Sequence, residues 1–410
     1  MQIRCNKINV FVLIVVFFSM ASCKKTPAKV DDLFSGNVVV YPPKSITPKS
    51  TKRIYVHLMP WFETKETNQG KWGIHWTMAT KNPDVLGANG KRQIASHFYP
   101  LIGPYASGDP FVIEYQLLLM KYSGIDVVLI DWPGTMNKYD YPLLVRNTEK
   151  FIAQLEKVGL SFAIVYEDQN LVEAGSSKLT QAQNDMAYLQ STYFIKPQYE
   201  KINSKPLLLT FGPQILKSET EWTTTFSGLS PKPEFYTLWY QSKEAGVNAS
   251  GEFSWIYQDY LSGLNNFYTN GYTGKKIAAA YPGFKTYYSL GGWTGPTWAI
   301  DHNGTSTFES TLTAALSSPL PSVQLVTWND YGEGTMIEPT DEFGYKFLTM
   351  LQSKLGITAY SINELQAIYQ LYQKRNSFSG DPLAQKKLDQ VFYYFVSLQS
   401  EKAIELLNSL

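Results

Sequence analysis

The stretch DVVLIDWPGTMNKYDYPLLVRNTEKFIAQLEKVGLSFAIVYE (residues 126–167) reads as one strand–helix–strand unit. DVVLID (126–131) is a short apolar run rich in Val and Ile, bounded by a Trp-Pro-Gly turn. Residues 141–158 carry helical spacing of apolar side chains, and SFAIVYE (161–167) is a second apolar run. Both runs are apolar throughout rather than alternating. That is the pattern of parallel strands covered on both faces.

The same alternation recurs on either side. Candidate strands are IYVHLM (54–59), PLLLTF (206–211), FYTLWY (235–240), FSWIY (253–257), KIAAAY (276–281) and VQLVTW (323–328). Helical patterns fall at 112–122, 180–195, 258–269 and 307–316. Eight strands interleaved with helices predict an α/β fold, a (β/α)8 TIM barrel. Two places depart from the repeat. No helix is evident between the strands at 235–240 and 253–257. The connection after the first strand, 60–109, is long, and a long loop inside a compact domain is usually functional.

The tail from 359 to 410 has helical periodicity alone. Ser361-Ile-Asn-Glu364 has the form of a capping box, with Leu365, Ile368 and Leu371 following on one face. Further helices are expected over 382–398 and from there to the end. This makes a C-terminal helical extension.

The chain begins with Arg4 and Lys7, an apolar run over 8–18, and Ala21-Ser22-Cys23. The apolar run is too short to span a bilayer, which takes about 20 residues. The pattern resembles a bacterial lipoprotein signal over 1–22, cleaved before a lipid-bearing Cys23, with a flexible Pro-, Ser-, Thr- and Lys-rich tether to residue 52. The expected product is a monomer anchored by lipid to a bacterial cell envelope, periplasmic or at the outer-membrane surface. The only other cysteine is Cys5. The domain at 53–358 then has no thiol for nucleophilic, disulfide or metal-ligand chemistry.

Net charge is +1, with no basic run, so the clustered positive surface that binds nucleic acid is missing. Aromatic residues make up 15 % of the chain, including 10 Trp and 28 Tyr. Tyr and Trp pair an apolar ring with a polar handle, and such rings suit the faces of sugars as well as a core. No phosphate-binding Gly loop, no His-Glu-x-x-His pair and no Gly-x-Ser-x-Gly elbow occurs, and the four histidines are scattered. No cofactor and no metal are expected.

In a barrel of this kind the chemistry lies at the C-terminal ends of the strands. There the chain places His57, Trp61, Asp131, Trp132, Glu167, Asp168, Trp239, Tyr240, Tyr281, Trp328, Asn329, Asp330 and Glu333. A single acid in such a position is most simply a turn residue. Several acids ringing one mouth, interleaved with rings, point to glycoside hydrolysis, which uses two carboxyl groups.

TWNDYGEGTMIEP (327–339) resembles the strand-eight motif of glycoside hydrolase families 71 and 99. Asn329–Glu333 is similar to the core of the family 71 α-1,3-glucanases. Gly334–Pro339 is similar to the tail of the family 99 endo-α-mannosidases and mannanases. HLMPWF at the first strand, GIHWT (73–77) and a Gly-Phe-x-x-x-Tyr pattern after strand seven are compatible, and the resemblance covers about 52–356. It implies that Glu333 is the general acid and Asp330 the second catalytic carboxylate. Family 99 has Glu at the latter position and uses it on the sugar's own 2-hydroxyl. Asp330 is one methylene shorter, so action on water stays open. The resemblance also implies that Glu167 and Asp168 hold the sugar.

Asp131, Trp61, His75, Trp76, Trp132, Trp239, Tyr240, Tyr281, Trp328 and Asn329 are candidate sugar contacts, with core packing the competing role for each Trp. Glu338 reads as a structural acid. Asp330, next to Asn329 and Trp328, is expected to stay ionised if hydrogen-bonded, and the flanking Gly332 and Gly334 to let Glu333 approach substrate on bare backbone. The function implied is cleavage of internal α-linkages in a polysaccharide, mannan-like or α-1,3-glucan-like. A non-catalytic carbohydrate-binding lipoprotein is the alternative of another class.

Overall fold

The computed structural model describes residues 33–410. The signal at 1–22, Cys23 and the start of the tether lie outside them. Eight parallel strands close into a barrel. They are β1 Arg53–Leu58, β2 Val127–Trp132, β3 Ser161–Tyr166, β4 Lys205–Thr210, β5 Glu234–Leu238, β6 Ala249–Phe253, β7 Lys275–Ala280 and β8 Ser322–Leu325. Each pairs with the next, and β8 returns to β1 with Ile54 opposite Val323. A two-residue strand, Lys201–Ile202, adds an antiparallel hairpin to β4. The (β/α)8 barrel is the architecture the repeat predicts.

The apolar runs form strands because both faces are covered. In β2 every residue is buried. The helix Tyr141–Val158 buries Leu144, Phe151, Ile152, Leu155 and Val158, and ends where Gly159 turns left-handed at φ 80°. Sequence and structure part at β6. The expected run 253–257 meets the strand only at Phe253, because the true strand, ASGEF, is small and polar. Gly251 is needed there: a Cβ would fall 2.8 Å from the Tyr236 ring. The link from β5 to β6 does contain a helix, Ser242–Ala245, but four residues are too few to show a period. The short helix Glu219–Thr225 and the helix Lys346–Leu355 that follows β8 complete the outer layer.

Residues 60–109 fold over the mouth around a small core of their own. Phe62, Trp76, Ile94 and Tyr105 pack with Val112, Tyr331 and Met336, and the Phe62 and Trp76 rings stack at 4.0 Å. The tail forms three helices, Ile362–Ser377, Pro382–Val396 and Ser400–Asn408, the first opened by the Ser361–Glu364 capping box. Arg375 of the first joins Glu114 at 3.0 Å and Asp389 at 2.7 Å.

Residues 33–52 correct one expectation. The polar composition predicts a flexible tether, but these residues are strapped to the domain. Lys44 N donates to Val396 O at 3.2 Å, and Lys49 N to Leu355 O at 3.0 Å. Val396 and Leu355 are the last residues of their helices, so the strap satisfies carbonyls that a helix end leaves unpaired. Tyr394 Oη donates to Leu33 O at 2.8 Å, and Leu33 is buried. A polar composition hid backbone bonding that no side-chain pattern encodes. Among the described residues no helix is long and apolar enough to cross a membrane.

Candidate active site

The C-terminal mouth of the barrel holds a cavity of about 240 Å³. Asp131 from the end of β2, Glu167 just past β3, and Asp330 and Glu333 beyond β8 all face it. Its walls are aromatic: Trp61 and His75 from the first loop, Phe211 after β4, Trp255 after β6, and Tyr288 and Trp293 after β7. Trp61 and His75 stack at 4.3 Å with planes 7° apart, and His75 Nε2 lies 3.5 Å from Asp140.

The loop carrying Asp330 and Glu333 is pinned from several sides. Trp328 N donates to His57 O at 2.7 Å, which continues the β8–β1 pairing past the strand end. Asn329 spans the backbone of Met59, accepting from its N at 2.9 Å and donating to its O at 3.0 Å. Thr327 Oγ1 accepts from Asp330 N at 2.8 Å, and Asp330 Oδ1 accepts from Glu333 N at 3.0 Å. The strand-seven loop then pairs along it, Lys285 N to Glu333 O and Tyr287 N to Gly332 O, both at 2.8 Å. Gly334 turns at φ 68°, and a Cβ there would sit 2.8 Å from Lys285 O. Its bare backbone serves this pairing rather than an approach to substrate. Gly332 does line the cavity.

Glu338 anchors the whole loop from below. Its carboxylate accepts from Gln116 Nε2 at 2.7 Å, Tyr105 Oη and Tyr331 Oη at 2.8 Å, and Trp328 Nε1 at 3.2 Å. Burial pushes it up to about 7 against those four donors.

The cavity acids form two pairs. Burial pushes Glu333 up to about 6, while the Tyr288 hydroxyl, donating to Oε1 at 3.0 Å, pulls it down. Part of the Glu333 side chain is open to solvent, but its carboxyl sits deep among protein atoms. Burial and then the Glu333 charge drive Asp330 well above the usual carboxylate range. Asp330 is hydrogen-bonded, yet it is not held ionised as expected: the backbone N–H groups of Glu333 and Gly332 do not offset burial beside a like charge. The proton at neutral pH belongs to the Asp330–Glu333 pair. Across the cavity, burial raises Asp131 to about 6, and burial with the Asp131 charge raises Glu167 further. A hydrogen bond between the two works against the rise of Asp131 and adds to that of Glu167. Burial holds the Tyr288 phenol protonated. It also pushes His57 down to about 3, so the imidazole on the cavity wall is neutral. His57 Nδ1 and Glu167 Oε2 have no hydrogen-bond partner among the described residues.

Of the residues singled out in the sequence, Glu333, Asp330, Asp131, Glu167, His57, Trp61 and His75 meet in this cavity. The others do not. Asp168 is buried behind the wall and accepts from the backbone N–H groups of Gln214, Ile215 and Leu216, which fixes the loop after β4. Trp76, Trp132, Tyr281 and Trp328 are fully buried core residues. Trp132 stacks on Tyr188 at 5.8 Å, and Trp76 donates to Tyr105 O at 2.7 Å. Asn329 faces Met59 and Tyr105. Trp239 and Tyr240 line a separate pocket. Sequence reasoning left out Met59, Met78, Gln169, Phe211, Trp255, Tyr288 and Trp293 as contacts. Only Tyr288 had a signal, as the last residue of the Gly-Phe-x-x-x-Tyr pattern. Among the described residues no group of three or more His, Cys, Asp or Glu side chains is placed to hold a metal ion.

A (β/α)8 barrel with buried carboxyl pairs and aromatic walls at its C-terminal mouth defines the class of barrel glycosidases. Residues 54–349 match the profile of Glycosyl hydrolase family 99. The chain belongs to that family and is a glycoside hydrolase. It is 21 % identical over 326 residues to a glycoprotein endo-α-1,2-mannosidase-like protein of Danio rerio, covering 70 % of each chain. Its fold is similar to that of the family 99 endo-α-mannosidase from Bacteroides thetaiotaomicron. The TM-score is 0.57 at 18 % identity, over 77 % of this chain and 98 % of that one. A glycoside hydrolase-like protein gives a TM-score of 0.55 at 11 % identity, over 80 % and 99 %.

Proposed function

We propose that this hydrolase cleaves internal α-linkages of a mannose-rich polysaccharide, with Glu333 and Asp330 as the reacting carboxyl groups. The observation that supports this best is the pairing of Asp330 with Glu333 on one cavity wall, both raised by burial, with Tyr288 on Glu333. One carboxyl group must give a proton to the leaving oxygen while its partner acts as a base. A pair that holds one proton between its members meets that need, and the bound substrate decides which member carries it. A glycosidic oxygen beside Glu333 draws the proton to Glu333 and leaves Asp330 ionised. Asp330 then acts on the sugar's 2-hydroxyl or on water.

The facing pair, Asp131 and Glu167, with neutral His57, offers unpaired acceptor and ring-nitrogen atoms to sugar hydroxyls. The Trp61–His75 stack offers a flat ring surface. The names of the relatives support mannose over glucose. The Asn-Asp-Tyr core that suggested an α-glucan carries less weight, since Asn329 and Tyr331 are turned inward as braces.

The test is incubation of purified protein with α-mannans and α-1,3-glucan, with products resolved by chromatography and NMR. Early release of oligosaccharides from α-mannan is the expected result. Release from α-1,3-glucan alone reassigns the sugar, and no release from either favours a binding protein. We further propose lipid attachment at Cys23 and a cell-envelope location. Loss of fatty-acid labelling in Cys23→Ala tests this, and unchanged labelling refutes it.

A further inference from the structure

Trp239 and Tyr240 leave the end of β5, and Tyr257 and Asp259 follow β6, so all four lie on the catalytic face of the barrel. With Gly263 and Asn266 they line a second, shallow pocket of about 230 Å³, apart from the acid-lined cavity. Three features of it point to a ligand. Two large rings are left open, with Tyr240 54 % and Tyr257 49 % exposed. Tyr240 holds a left-handed backbone at φ 64°, a strained conformation for a residue with a Cβ. In that conformation its ring stacks on Trp239 at 5.6 Å with planes 23° apart, giving a broad flat face.

The third feature is Asp259. It occupies the N-cap position of the helix Tyr260–Thr269, yet its side chain makes no capping hydrogen bond. Asp is a strong capping residue, and an uncapped helix start loses stability. The carboxylate instead lies over Gly263, so close that a Cβ on Gly263 would meet Oδ1 at 2.1 Å. The chain thus keeps an acceptor in the pocket at the expense of the helix end, and glycine makes room for it. Asn266, also exposed, adds an amide that can donate and accept.

We propose that this pocket is a second carbohydrate-binding site that holds sugar residues of the substrate polysaccharide outside the cleavage cavity. It rests on the hydrolase reading above, since the occupant is the same polymer. A flat double ring beside a carboxylate and an amide fits a neutral sugar, with C–H faces on the rings and hydroxyls on Asp259 and Asn266. No Lys or Arg lines the pocket, so it does not suit a sulfated or uronic acid chain.

Continuity with the cavity supports the choice of occupant. Trp255 is a cavity wall, and Tyr257, two residues on, is a wall of this pocket, a backbone reach of about 7 Å. Tyr257 also meets Trp298 at 6.1 Å, and Trp298 stacks on Phe284 at 4.4 Å. Phe284 belongs to the loop whose Lys285 and Tyr288 hold Glu333. An aromatic ridge therefore runs between the two sites.

The test uses Tyr240→Gly and Asp259→Ala. Glycine suits φ 64°, so the first variant removes the ring without adding backbone strain. Steady-state kinetics are measured on α-mannan polymer and on an aryl glycoside short enough to fill only the cavity. We expect KM for the polymer to rise roughly tenfold in each variant, with kcat/KM on the aryl glycoside unchanged. Equal polymer KM in variants and wild type overturns the proposal, as does an equal loss on both substrates.

Binding is read separately by affinity electrophoresis in α-mannan gels, on the Glu333→Gln background. Retardation in Tyr240→Gly equal to that of the Glu333→Gln parent also overturns the site. Wild-type protein that is retarded through Tyr240 but hydrolyses nothing sinks the hydrolase reading and keeps the site. Wild-type protein that is not retarded at all refutes the site.

Discussion

Replacing Tyr288 by Phe removes one oxygen from the cavity and leaves the ring. That oxygen donates to Glu333 Oε1 at 3.0 Å and opposes the rise that burial imposes on the carboxyl group. A hydrogen bond to a charged group contributes about 1.5–3 kcal/mol, and a pKa unit corresponds to about 1.4 kcal/mol. Losing the donor destabilises the ionised form, so the pKa rises. From about 6 the shift should carry the Glu333 step up by about one to two units.

The pair needs one ionised member to act, so kcat/KM falls on the acid side where that member is protonated. In Tyr288→Phe the acid limb should move to higher pH by the same one to two units. The assay is kcat/KM against pH on an aryl glycoside, which reports the free enzyme. An acid limb that stays in place, or moves to lower pH, refutes the claim that Tyr288 tunes this pair. A fall in activity that is uniform across pH shows instead that the hydroxyl touches substrate.

Further predictions concern the braces. Glu338→Gln leaves four buried donors facing an amide, and it should lower stability by about 1–3 kcal/mol in urea unfolding. Wild-type Glu338 rises from 4.5 to about 7 on folding. The native state then binds more protons than the unfolded state between those values, so its contribution is full below pH 4.5 and lost as pH rises through about 7. The decline in Tm over that window should be shallower in Glu338→Gln, and a slope identical to wild type refutes the assignment. Asp168→Ala strips the acceptor from three backbone N–H groups and should lower the urea midpoint. In that variant KM for polysaccharide at low temperature should match wild type, whereas a sugar-holding Asp168 would raise it.

The barrel was legible because its strands are continuous apolar runs separated by long helices. It was illegible where an element was short or polar: β6 is built from ASGEF, and the helix before it has four residues. The acids were found by their place at strand ends, since Asp131, Glu167, Asp330 and Glu333 all reach the cavity. The same rule failed for Asp168 and Trp132, neighbours of Glu167 and Asp131. In an extended strand adjacent side chains point to opposite faces, so Trp132 points away from the cavity that Asp131 enters, whereas Asp168 opens the 3-10 helix Asp168–Ser177 and turns its carboxylate to the backbone of the loop after β4.

The strand-eight motif also meant less for sugar choice than it suggested. Asn329, Tyr331 and Glu338 are turned inward as braces, and Ile337 is buried, so much of the motif encodes the loop's rigidity. Trp293 and Trp255 come from loops without period or turn chemistry, which no pattern marks as walls of a site, and Tyr288 was marked only by the end of the Gly-Phe-x-x-x-Tyr pattern.

The central claim is that Glu333 protonates the leaving oxygen while Asp330 does the other half of the chemistry. Leaving-group dependence in Glu333→Gln and Asp330→Asn separates those roles directly. A general acid contributes about 10²–10⁴ to rate, and a strongly acidic phenol leaves without one. Glu333→Gln should lose about that factor on α-mannan and recover most of it on an aryl glycoside of such a phenol. Asp330→Asn should be inactive on both. Full activity of Glu333→Gln on α-mannan, or rescue of Asp330→Asn by the activated substrate, would contradict the account.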